Sequence, residues 1–569
     1  MRPFLVSLTI LLGVGLPCFA AAPPPAHADD QLDFLFLASD RPVLIRMHVR
    51  MGDRPYDATW VVFMDKLFDW FDKDKDGTLS PAEVARLPSG ASLANQTQGG
   101  IQGNDAKGVP FAAIDADKDG KVTRREFRAF YRHGGFPGYK VYSPPHYVTI
   151  ANQLTASLYR HLDPAQEKSL TADKVAGMYR KLRALDVDDD EILSASKVNN
   201  GIVPGNSEGV LISEKFRSAT VVEPGLLQVL PGQEASLVKQ LMDRYDRNKD
   251  GKLSRAEAGL PAAAFAALDA DRDGTLGAAE LRAYLATPPD LILRLQVGPT
   301  GVAANRGVLG RLGFASVLTG PKPRLIVANE KTLSGPMTKA RRTGPNDLAF
   351  ELGDTRMAIQ AKAVRPSDTS ARAYNAKNWY GLEFDRIAGN KPFIQRSDEK
   401  AHPKAHVLRI FPQADRDGDG RLTRSELFAW LDFVEAGQDA NITIAVFDNG
   451  RSQFRFLDAD DDNRLSLREM KNAWERLKPF AKDGKVTRAD LPRTFSVVVG
   501  QGGLADRLPS RRNTPPAWFR KMDRNNDGDV SPREWLGTDE EFKAIDTDGD
   551  GLISVAEAIA FEAKKKKTR

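Results

Sequence analysis

Acidic side chains recur in this chain at a spacing that suits the coordination of a hard cation. The first such segment, residues 72–83, places Asp72, Asp74 and Asp76 at its first, third and fifth positions and Glu83 at its twelfth. These carboxylates, with the backbone carbonyl of Thr78 at the seventh position, supply the oxygen ligands that Ca²⁺ takes in proteins, two of them from the glutamate. Eight segments follow this pattern, which is too many for chance, so the sequence predicts repeated calcium loops.

The other seven loops repeat the same arrangement, and the residue at the seventh position again contributes only its carbonyl oxygen. The predicted ligands are Asp115, Asp117, Asp119, Lys121 and Glu126; Asp246, Asn248, Asp250, Lys252 and Glu257; Asp269, Asp271, Asp273, Thr275 and Glu280; Asp415, Asp417, Asp419, Arg421 and Glu426; Asp458, Asp460, Asp462, Arg464 and Glu469; Asp523, Asn525, Asp527, Asp529 and Glu534; and Asp546, Asp548, Asp550, Leu552 and Glu557. The sixth position needs a left-handed backbone, which glycine adopts without steric cost. Seven loops have glycine there, whereas the loop at Asp458 has Asn463, so we expect that loop to bind more weakly.

These loops resemble those of the EF-hand family, on both flanks of the chain but not in its centre. The resemblance implies helix–loop–helix units that bind calcium and that pair through a short β-bridge at the eighth loop position. That position is apolar in all eight loops, where it is Leu79, Val122, Leu253, Leu276, Leu422, Leu465, Val530 and Ile553.

Three further segments resemble hands that have lost their ligands. The loops that begin at Asp163 and Asp186 have leucine at the eighth position but a lysine, Lys174 or Lys197, at the twelfth. A lysine there replaces the bidentate carboxylate with a positive charge, so we expect hands that fold without binding calcium. The third remnant, residues 483–490, lacks carboxylates at the first and third positions.

The spacing of the loops predicts how the hands are organised. The loops at 72 and 115 start 43 residues apart, as do those at 415 and 458, while tighter steps of 23 residues separate 163 from 186, 246 from 269 and 523 from 546. We therefore expect each hand to pair with its neighbour along the chain, in two halves related by duplication. Independent packing of generic hands is the alternative.

The predicted units are a signal peptide at 1–28, an N-terminal strand with the first hand pair at 29–160, a degenerate pair at 161–205, a pair at 206–290, a β-rich domain at 291–400, a pair with a degenerate third hand at 401–495, and a C-terminal pair with a basic tail at 496–569. Alternating residues around Gly353 and Asp354 predict a β-hairpin in the β-rich domain, and residues 291–297 and 324–328 are typical of strands. The apolar run 442–447 is a candidate addition to it, and a separate strand at 43–49 opens the mature chain. The predicted fold class is α+β, with hand pairs flanking a central antiparallel β domain.

The first 28 residues are typical of a secretory signal, with Arg2 before an apolar run at 4–19. A retained membrane anchor is the alternative, although the run is short for a membrane span. The only cysteine, Cys18, lies inside this segment, so the mature chain would have no disulfide and no thiolate site. No later segment is apolar enough to cross a bilayer. We expect a secreted or periplasmic protein.

Several function classes can be weighed from the residues present. No catalytic constellation or nucleotide-binding loop stands out, which predicts that the chain is not an enzyme. A calcium sensor opens a methionine-rich groove, and only 10 methionines occur here. Basic residues within the loops, such as Lys73 and Lys75, weaken the field at the ion and favour affinities of about 10⁻⁴–10⁻³ M, which suit extracellular calcium.

The chain carries a net charge of +5 although its calcium loops are net acidic, so the remainder is strongly basic. Filled with calcium, the protein would have a cationic surface that favours an anionic envelope polymer or lipid headgroups, and another protein is a further candidate partner. Nucleic acid is an improbable partner for a secreted chain without a stacking platform. The predicted function is a secreted protein that binds about eight calcium ions mainly for structural stabilisation. One alternative is a calcium-rigidified adhesion module of the envelope. A hydrolase with accessory hands is the other, and its catalytic cluster would lie within 291–400.

Overall fold

The computed structural model describes residues 30–51, 54–97, 108–142, 147–198, 225–297, 324–327, 337–341, 347–352, 355–362, 366–403, 405–459, 464–501 and 515–567. Within these ranges it combines two mixed β-sheets with paired helix–loop–helix segments, so the predicted α+β class is confirmed. The proposed signal segment, the cysteine and two ligands of the loop at Asp458 lie outside the described residues.

Twelve strands within the described ranges form the two larger sheets. They are β1 (Gln31–Leu37), β2 (Pro42–Met51), β3 (Arg54–Pro55), β4 (Tyr139–Tyr142), β5 (Leu226–Gln228), β6 (Leu291–Val297), β7 (Arg324–Val327), β8 (Met337–Arg341), β9 (Asp347–Leu352), β10 (Thr355–Lys362), β11 (Ile442–Gly450) and β12 (Arg493–Gln501). The predicted strands at 43–49 and 291–297, residues 324–327 of the predicted strand 324–328, the two strands of the hairpin and the apolar run 442–447 are among them. Residue 328 and the hairpin turn at 353–354 lie outside the described residues.

The first sheet has the strand order β7-β6-β2-β1-β5, with β3 beside β2. The β1–β2 hairpin is antiparallel and sets Phe34 opposite Ile45, whereas β6 runs parallel to β2 and sets Leu293 beside Met47. Strand β2 alternates apolar residues with Arg46, His48 and Arg50, and only its apolar residues are fully buried along that stretch. One face of the sheet is therefore available for a core.

The second sheet has the order β8-β9-β10-β12-β11-β4. Strands β10 and β12 are parallel, as are β11 and β4, so the sheet is mixed rather than purely antiparallel. The two sheets share one hydrophobic core, in which Phe34 and Met47 of the first sheet join Ile359, Val497 and other apolar residues of the second. The β region therefore draws on most of the chain's length, and strands from 31–51, 139–142, 226–228 and 442–501 complete it.

The described ranges also contain α-helices, most of which belong to the hands. The α-helices are Tyr56–Phe71, Pro81–Val84, Gly90–Gln96, Phe111–Ile114, Arg124–His133, Tyr147–Leu162, Ala172–Val175, Met178–Leu182, Ala195–Val198, Glu234–Tyr245, Arg255–Ala258, Ala262–Leu268, Ala278–Leu285, Pro366–Ala388, His406–Arg409, Phe411–Ala414, Arg424–Asp439, Gln453–Leu457, Leu467–Lys471, Ala473–Leu477, Ala517–Met522, Asp539–Ile545 and Val555–Lys567. Short 3₁₀ turns cover Arg183–Leu185, Arg396–Lys400, Lys478–Phe480 and Arg488–Asp490. Among the described residues, none of these helices has the length and apolarity needed to cross a membrane.

Three pairs of hands join neighbours along the chain, as their spacing predicts. Their eighth-position residues meet in antiparallel bridges, Leu79 with Val122, Leu253 with Leu276 and Val530 with Ile553. Each bridge consists of backbone hydrogen bonds between two buried apolar residues.

The expected pair of decayed loops at 163 and 186 does not form, and neither does the expected pair at 415 and 458. Leu170 instead bridges Val486, and Leu193 bridges Leu465, so two hands of the first half cross to two hands of the second. The cause lies in the second sheet. Because β4 and β11 are parallel neighbours, the helices that follow them leave the sheet side by side and carry the four hands together. Any hand offers an equivalent bridge, so spacing alone could not select the partner.

The loop at Asp415 pairs with a hand that the sequence did not reveal. Ile394 bridges Leu422, and the segment around it follows the long helix Pro366–Ala388. The N–H of Gln395 donates to the Asp398 carboxylate at 2.8 Å, which reproduces the bond between the ninth and twelfth positions of a calcium loop. The predicted β-rich unit 291–400 is therefore wrong after residue 365, where the chain forms a helix and a decayed hand. No acidic spacing marked this hand, because only the eighth and twelfth positions keep their residue types.

Candidate metal sites

The calcium loops share a backbone that turns sharply at the sixth position. Seven of them have glycine there, with φ between 76° and 90°, and Gly274 is typical at 81°. A side chain at this position would strain the backbone by about 1–2 kcal/mol. The fourth position is also left-handed, as Lys75 shows with φ of 59°. Asn463, the predicted substitute for glycine in the loop at Asp458, lies outside the described residues.

The aspartate at the first position ends the incoming helix and points one oxygen into the loop. In the first loop, Oδ2 of Asp72 accepts a hydrogen bond from the Gly77 N–H at 3.1 Å, while its buried Oδ1 has no hydrogen-bond partner. Burial raises the pKa of this carboxyl group. The first-position oxygens of Asp115, Asp269 and Asp546 are likewise buried without a partner. A buried carboxylate oxygen without a donor is costly unless a cation faces it, so these residues fit a bound metal ion.

The aspartates at the third and fifth positions are held by short local turns. Asp74 accepts a bond from the Asp76 N–H at 3.2 Å, and Asp76 accepts bonds from the Thr78 N–H at 2.7 Å and the Thr78 hydroxyl at 2.8 Å. As a result, carboxylate oxygens of Asp72, Asp74 and Asp76 all lie within 4.8 Å of one another. The same grouping of possible ligand atoms occurs in three more calcium loops: Asp115, Asp117 and Glu126; Asp269, Asp271 and Asp273; Asp415, Asp417 and Glu426.

The glutamate at the twelfth position closes the loop onto itself. Oε1 of Glu557 accepts the Thr547 N–H at 2.7 Å, and its Oε2 accepts the Ser554 N–H and hydroxyl, both at 2.8 Å. Burial alone would raise the pKa of Glu557, but these hydrogen bonds lower it to about 2. Glu83, Glu126, Glu257, Glu280 and Glu534 make the same bonds to the second and ninth positions. These hydrogen bonds fix the orientation of the glutamate within the loop.

The loop at Asp523 brings several carboxyl groups close together in a partly buried position. Burial, together with the nearby carboxylates of Asp529 and Asp523, raises the pKa of Asp527 to about 8. Asp529 at the seventh position turns its side chain away from the loop, to the Arg468 guanidinium at 2.9 Å. Carboxylates crowded in this way favour a multivalent cation among them.

Basic side chains reach across some hand pairs to the carboxylates of the partner loop. The Lys252 ammonium, at the seventh position of one loop, forms an ion pair with Asp273 at the fifth position of the other and lowers the pKa of Asp273 to about 2. Lys121 approaches Asp76 in the same way, at 3.8 Å. Such contacts oppose the positive charge of an incoming ion, as the sequence predicted.

The loop at Asp458 differs from the others where it is described. The Asp458 carboxylate is buried beside the Arg455 guanidinium, with 3.3 Å between Oδ2 and Nη1. Its glutamate, Glu469, still accepts the Ser466 N–H at 2.9 Å. Asp460 and Asp462 lie outside the described residues, so weak binding at this loop stays a prediction.

The decayed loops at 163 and 186 keep the backbone of a calcium loop, although lysine replaces the glutamate. The Lys197 ammonium donates to Asp186 at 2.9 Å, to Asp190 at 2.5 Å and to the Ile192 carbonyl at 2.9 Å, and it also contacts Asp188. The lysine therefore bonds to the first, third, fifth and seventh positions, which are the positions that coordinate calcium in the other loops.

Comparison with known protein families agrees with this geometry. Seven segments match the family described as EF hand, at residues 64–88, 110–131, 237–257, 262–286, 408–427, 517–536 and 539–557. They contain the seven loops with glycine at the sixth position and leave out the loop at Asp458. These seven segments are therefore similar to EF hands, and such motifs support calcium binding. No curated protein and no solved structure matches the chain.

Proposed function

We propose that this protein is a secreted calcium-binding protein in which about eight ions, one for each predicted loop, serve mainly to stabilise the fold. The observation that carries the proposal is the buried first-position oxygen without a partner in four loops, at Asp72, Asp115, Asp269 and Asp546. In three of these loops, at Asp72, Asp115 and Asp269, the first-position carboxylate belongs to a group of three whose possible ligand atoms lie within 4.8 Å of one another.

A structural role, rather than a sensor role, is favoured by what covers the hands. The pair at 72 and 115 shares one hydrophobic core with the hand at 415, and Trp70 and Trp430 pack there with ring centroids 5.6 Å apart. The Trp70 indole N–H donates to the Gln413 carbonyl at 3.0 Å, and the Trp430 indole N–H donates to Gln96 at 2.9 Å. A sensor exposes the apolar face of its hands on binding calcium, whereas here that face is buried against another hand.

The stabilisation expected from the ions is substantial. At a free calcium concentration ten times its dissociation constant, each site adds about 1.4 kcal/mol to the free energy of unfolding. Several sites in one cooperative unit would make folding depend on calcium.

Calorimetric titration of the calcium-free protein tests the proposal, because it measures the number of ions and their affinity together. We expect seven or eight ions and a melting temperature that falls on addition of EGTA. A matched pair of variants adds a local test: Asp269→Asn should remove one ion, while Asp243→Asn, on a neighbouring helix, should remove none. Four ions or fewer, or a melting temperature unchanged by EGTA, would refute the structural role.

A second candidate function, the binding of an anionic envelope polymer, is favoured by a cavity of about 560 Å³ beside the hand at 163. Arg160, Lys168 and Arg488 line it together with Tyr159. The one acidic residue in its wall, Asp163, is already paired with Lys174 at 2.7 Å. The cavity therefore presents uncompensated positive charge beside an aromatic ring.

Sedimentation with an insoluble polyanion measures this second function. Arg160→Gln with Lys168→Gln should weaken retention at physiological salt, whereas the exposed pair Lys239→Gln with Lys249→Gln should leave it unchanged. Equal retention of the two double variants would show that attraction is spread over the whole basic surface rather than placed at the cavity.

A further inference from the structure

The two lysine-bearing loops adopt a conformation that their own residues disfavour. Their sixth positions hold Lys168 and Glu191 instead of glycine, yet φ is 58° and 66°. Left-handed backbone at such residues costs about 1–2 kcal/mol each and persists only where surrounding contacts impose it. Something other than glycine must therefore hold these loops in the shape of a filled calcium loop.

The hand at 186 is held by the Lys197 ammonium at its centre. This side chain is 10% exposed and its partner Asp186 is fully buried, so the ion pair lies largely out of water. The Tyr179 hydroxyl donates to the second oxygen of Asp186 at 2.9 Å. Every described carboxylate of the loop's ligand positions thus has a donor or a cation beside it, in contrast to the partnerless oxygen of Asp72.

The hand at 163 repeats the arrangement with fewer oxygens. The Lys174 ammonium donates to Asp163 at 2.7 Å, to Glu167 at 2.8 Å and to the Ser169 carbonyl at 3.1 Å, at the first, fifth and seventh positions. The third position is Ala165, which offers no side-chain oxygen. Two loops have therefore arrived at the same replacement of a metal ion by a tethered ammonium group.

We propose that Lys174 and Lys197 are internal cations that permanently occupy the calcium positions of these two hands, so that the crossed joint between the two halves stays assembled without calcium. The joint is the set of hands bridged by Leu170 with Val486 and by Leu193 with Leu465. A single hydrophobic core joins them, to which Leu158, Leu457 and other apolar residues contribute. This inference goes beyond the proposed calcium function, because it concerns loops that do not bind the ion.

The test restores a carboxylate to the hand at 186. Lys197→Glu completes the ligand set with Asp186, Asp188, Asp190 and the Ile192 carbonyl, so calorimetry should count one ion more than in the wild-type chain. Terbium, used as a luminescent substitute for calcium, should gain emission sensitised by the adjacent Tyr179. Lys174→Glu should create a weaker calcium site, because Ala165 at the third loop position supplies no side-chain oxygen.

The matched control is Lys239→Glu, which makes the same change of charge on an exposed helix, where the lysine pairs only with Asp243 at 2.5 Å. It should gain no ion. A folded Lys197→Glu protein that binds no more calcium than the wild type would overturn the proposal. A variant that folds only when calcium is present would support it, since the ion would then be replacing the ammonium.

A second measurement requires no variant. Hydrogen exchange of the wild-type chain in EGTA should leave residues 163–198 protected to within a few-fold of their protection in calcium, while residues 246–280 lose protection. An equal loss of protection in both regions would overturn the proposal. It would do so even if calorimetry counted the expected seven or eight ions at the calcium loops. Failure of the calcium function would instead appear as an ion count near zero with the lysine loops still protected.

Discussion

Glu557→Gln separates the two roles that the structure gives to the glutamate at the twelfth position. The amide oxygen can keep the bond from Thr547, but the amide NH₂ must then face the Ser554 N–H, whose bond to Oε2 measures 2.8 Å. Loss of one hydrogen bond to a charged group costs about 2 kcal/mol. In EGTA, the local opening of residues 546–557 should therefore become about 30 times more frequent.

In calcium the same substitution also removes a ligand oxygen and a negative charge. If the site empties, the free energy of local opening falls by a further 1.4 kcal/mol or so, at a free calcium concentration ten times the dissociation constant. The total acceleration of opening then becomes roughly 300-fold. Hydrogen exchange measured by mass spectrometry on this segment, with and without calcium, reports both numbers. Glu562→Gln, on the same helix but outside the loop, is the control and should change neither.

Two outcomes would refute the reasoning. An unchanged exchange rate in EGTA would show that the glutamate does not clamp the calcium-free loop. An acceleration of the same size with and without calcium would show that Glu557 is not a ligand. Because the free-energy differences refer to a local opening, they do not depend on whether the whole chain unfolds in a single step.

Three further predictions concern other parts of the molecule. Lys252→Gln should raise the calcium affinity of the loop at 269 several-fold, because it removes the ammonium group that forms an ion pair with Asp273. A chelator competition titration that finds no change in affinity would contradict this. Burial alone would raise the pKa of Asp186, but its bonds to Lys197 and other donors lower it to about 2, below its unfolded value of about 4. The stability that this pair contributes should be complete above pH 4 and lost as the pH falls toward 2, and Lys197→Met should make the fall of the urea midpoint in EGTA over that range shallower. Leu193→Ala should lower the free energy of unfolding by about 2–5 kcal/mol and accelerate hydrogen exchange in residues 464–477, which are far away in sequence. Acceleration confined to the residues around Leu193 would argue against the crossed bridge.

The parts of the structure that the sequence predicted are those set by local chemistry. A calcium loop is specified within twelve residues by its carboxylates, a left-handed sixth position and an apolar eighth position. Strand β6 is specified by the alternation of apolar and polar residues within it. The partners of the four crossed hands are set elsewhere, by the parallel register of β4 beside β11, and no pattern within those hands contains that information. The sequence pattern did not predict the hand around Ile394, because that hand lacks the acidic residues by which a calcium loop is recognised.

The lysine loops show a finer limit of prediction from sequence. The change from glutamate to lysine at the twelfth position predicted the loss of calcium, on the ground that a positive charge replaces the bidentate carboxylate. The contacts of Lys197 show that its charge is used within the loop, which a pattern of residue types could not distinguish from simple repulsion.

The crossed pairing of hands also bears on how the chain is made. Leu193 cannot meet Leu465 until roughly 270 further residues have been synthesised, which takes on the order of 15–55 s at about 5–20 residues per second. During that interval the apolar faces of two completed hands have no partner and are open to association with other chains. The two hands whose central cation is the ammonium group of Lys174 or Lys197 would keep their loop conformation during this interval, whatever the calcium concentration around the growing chain.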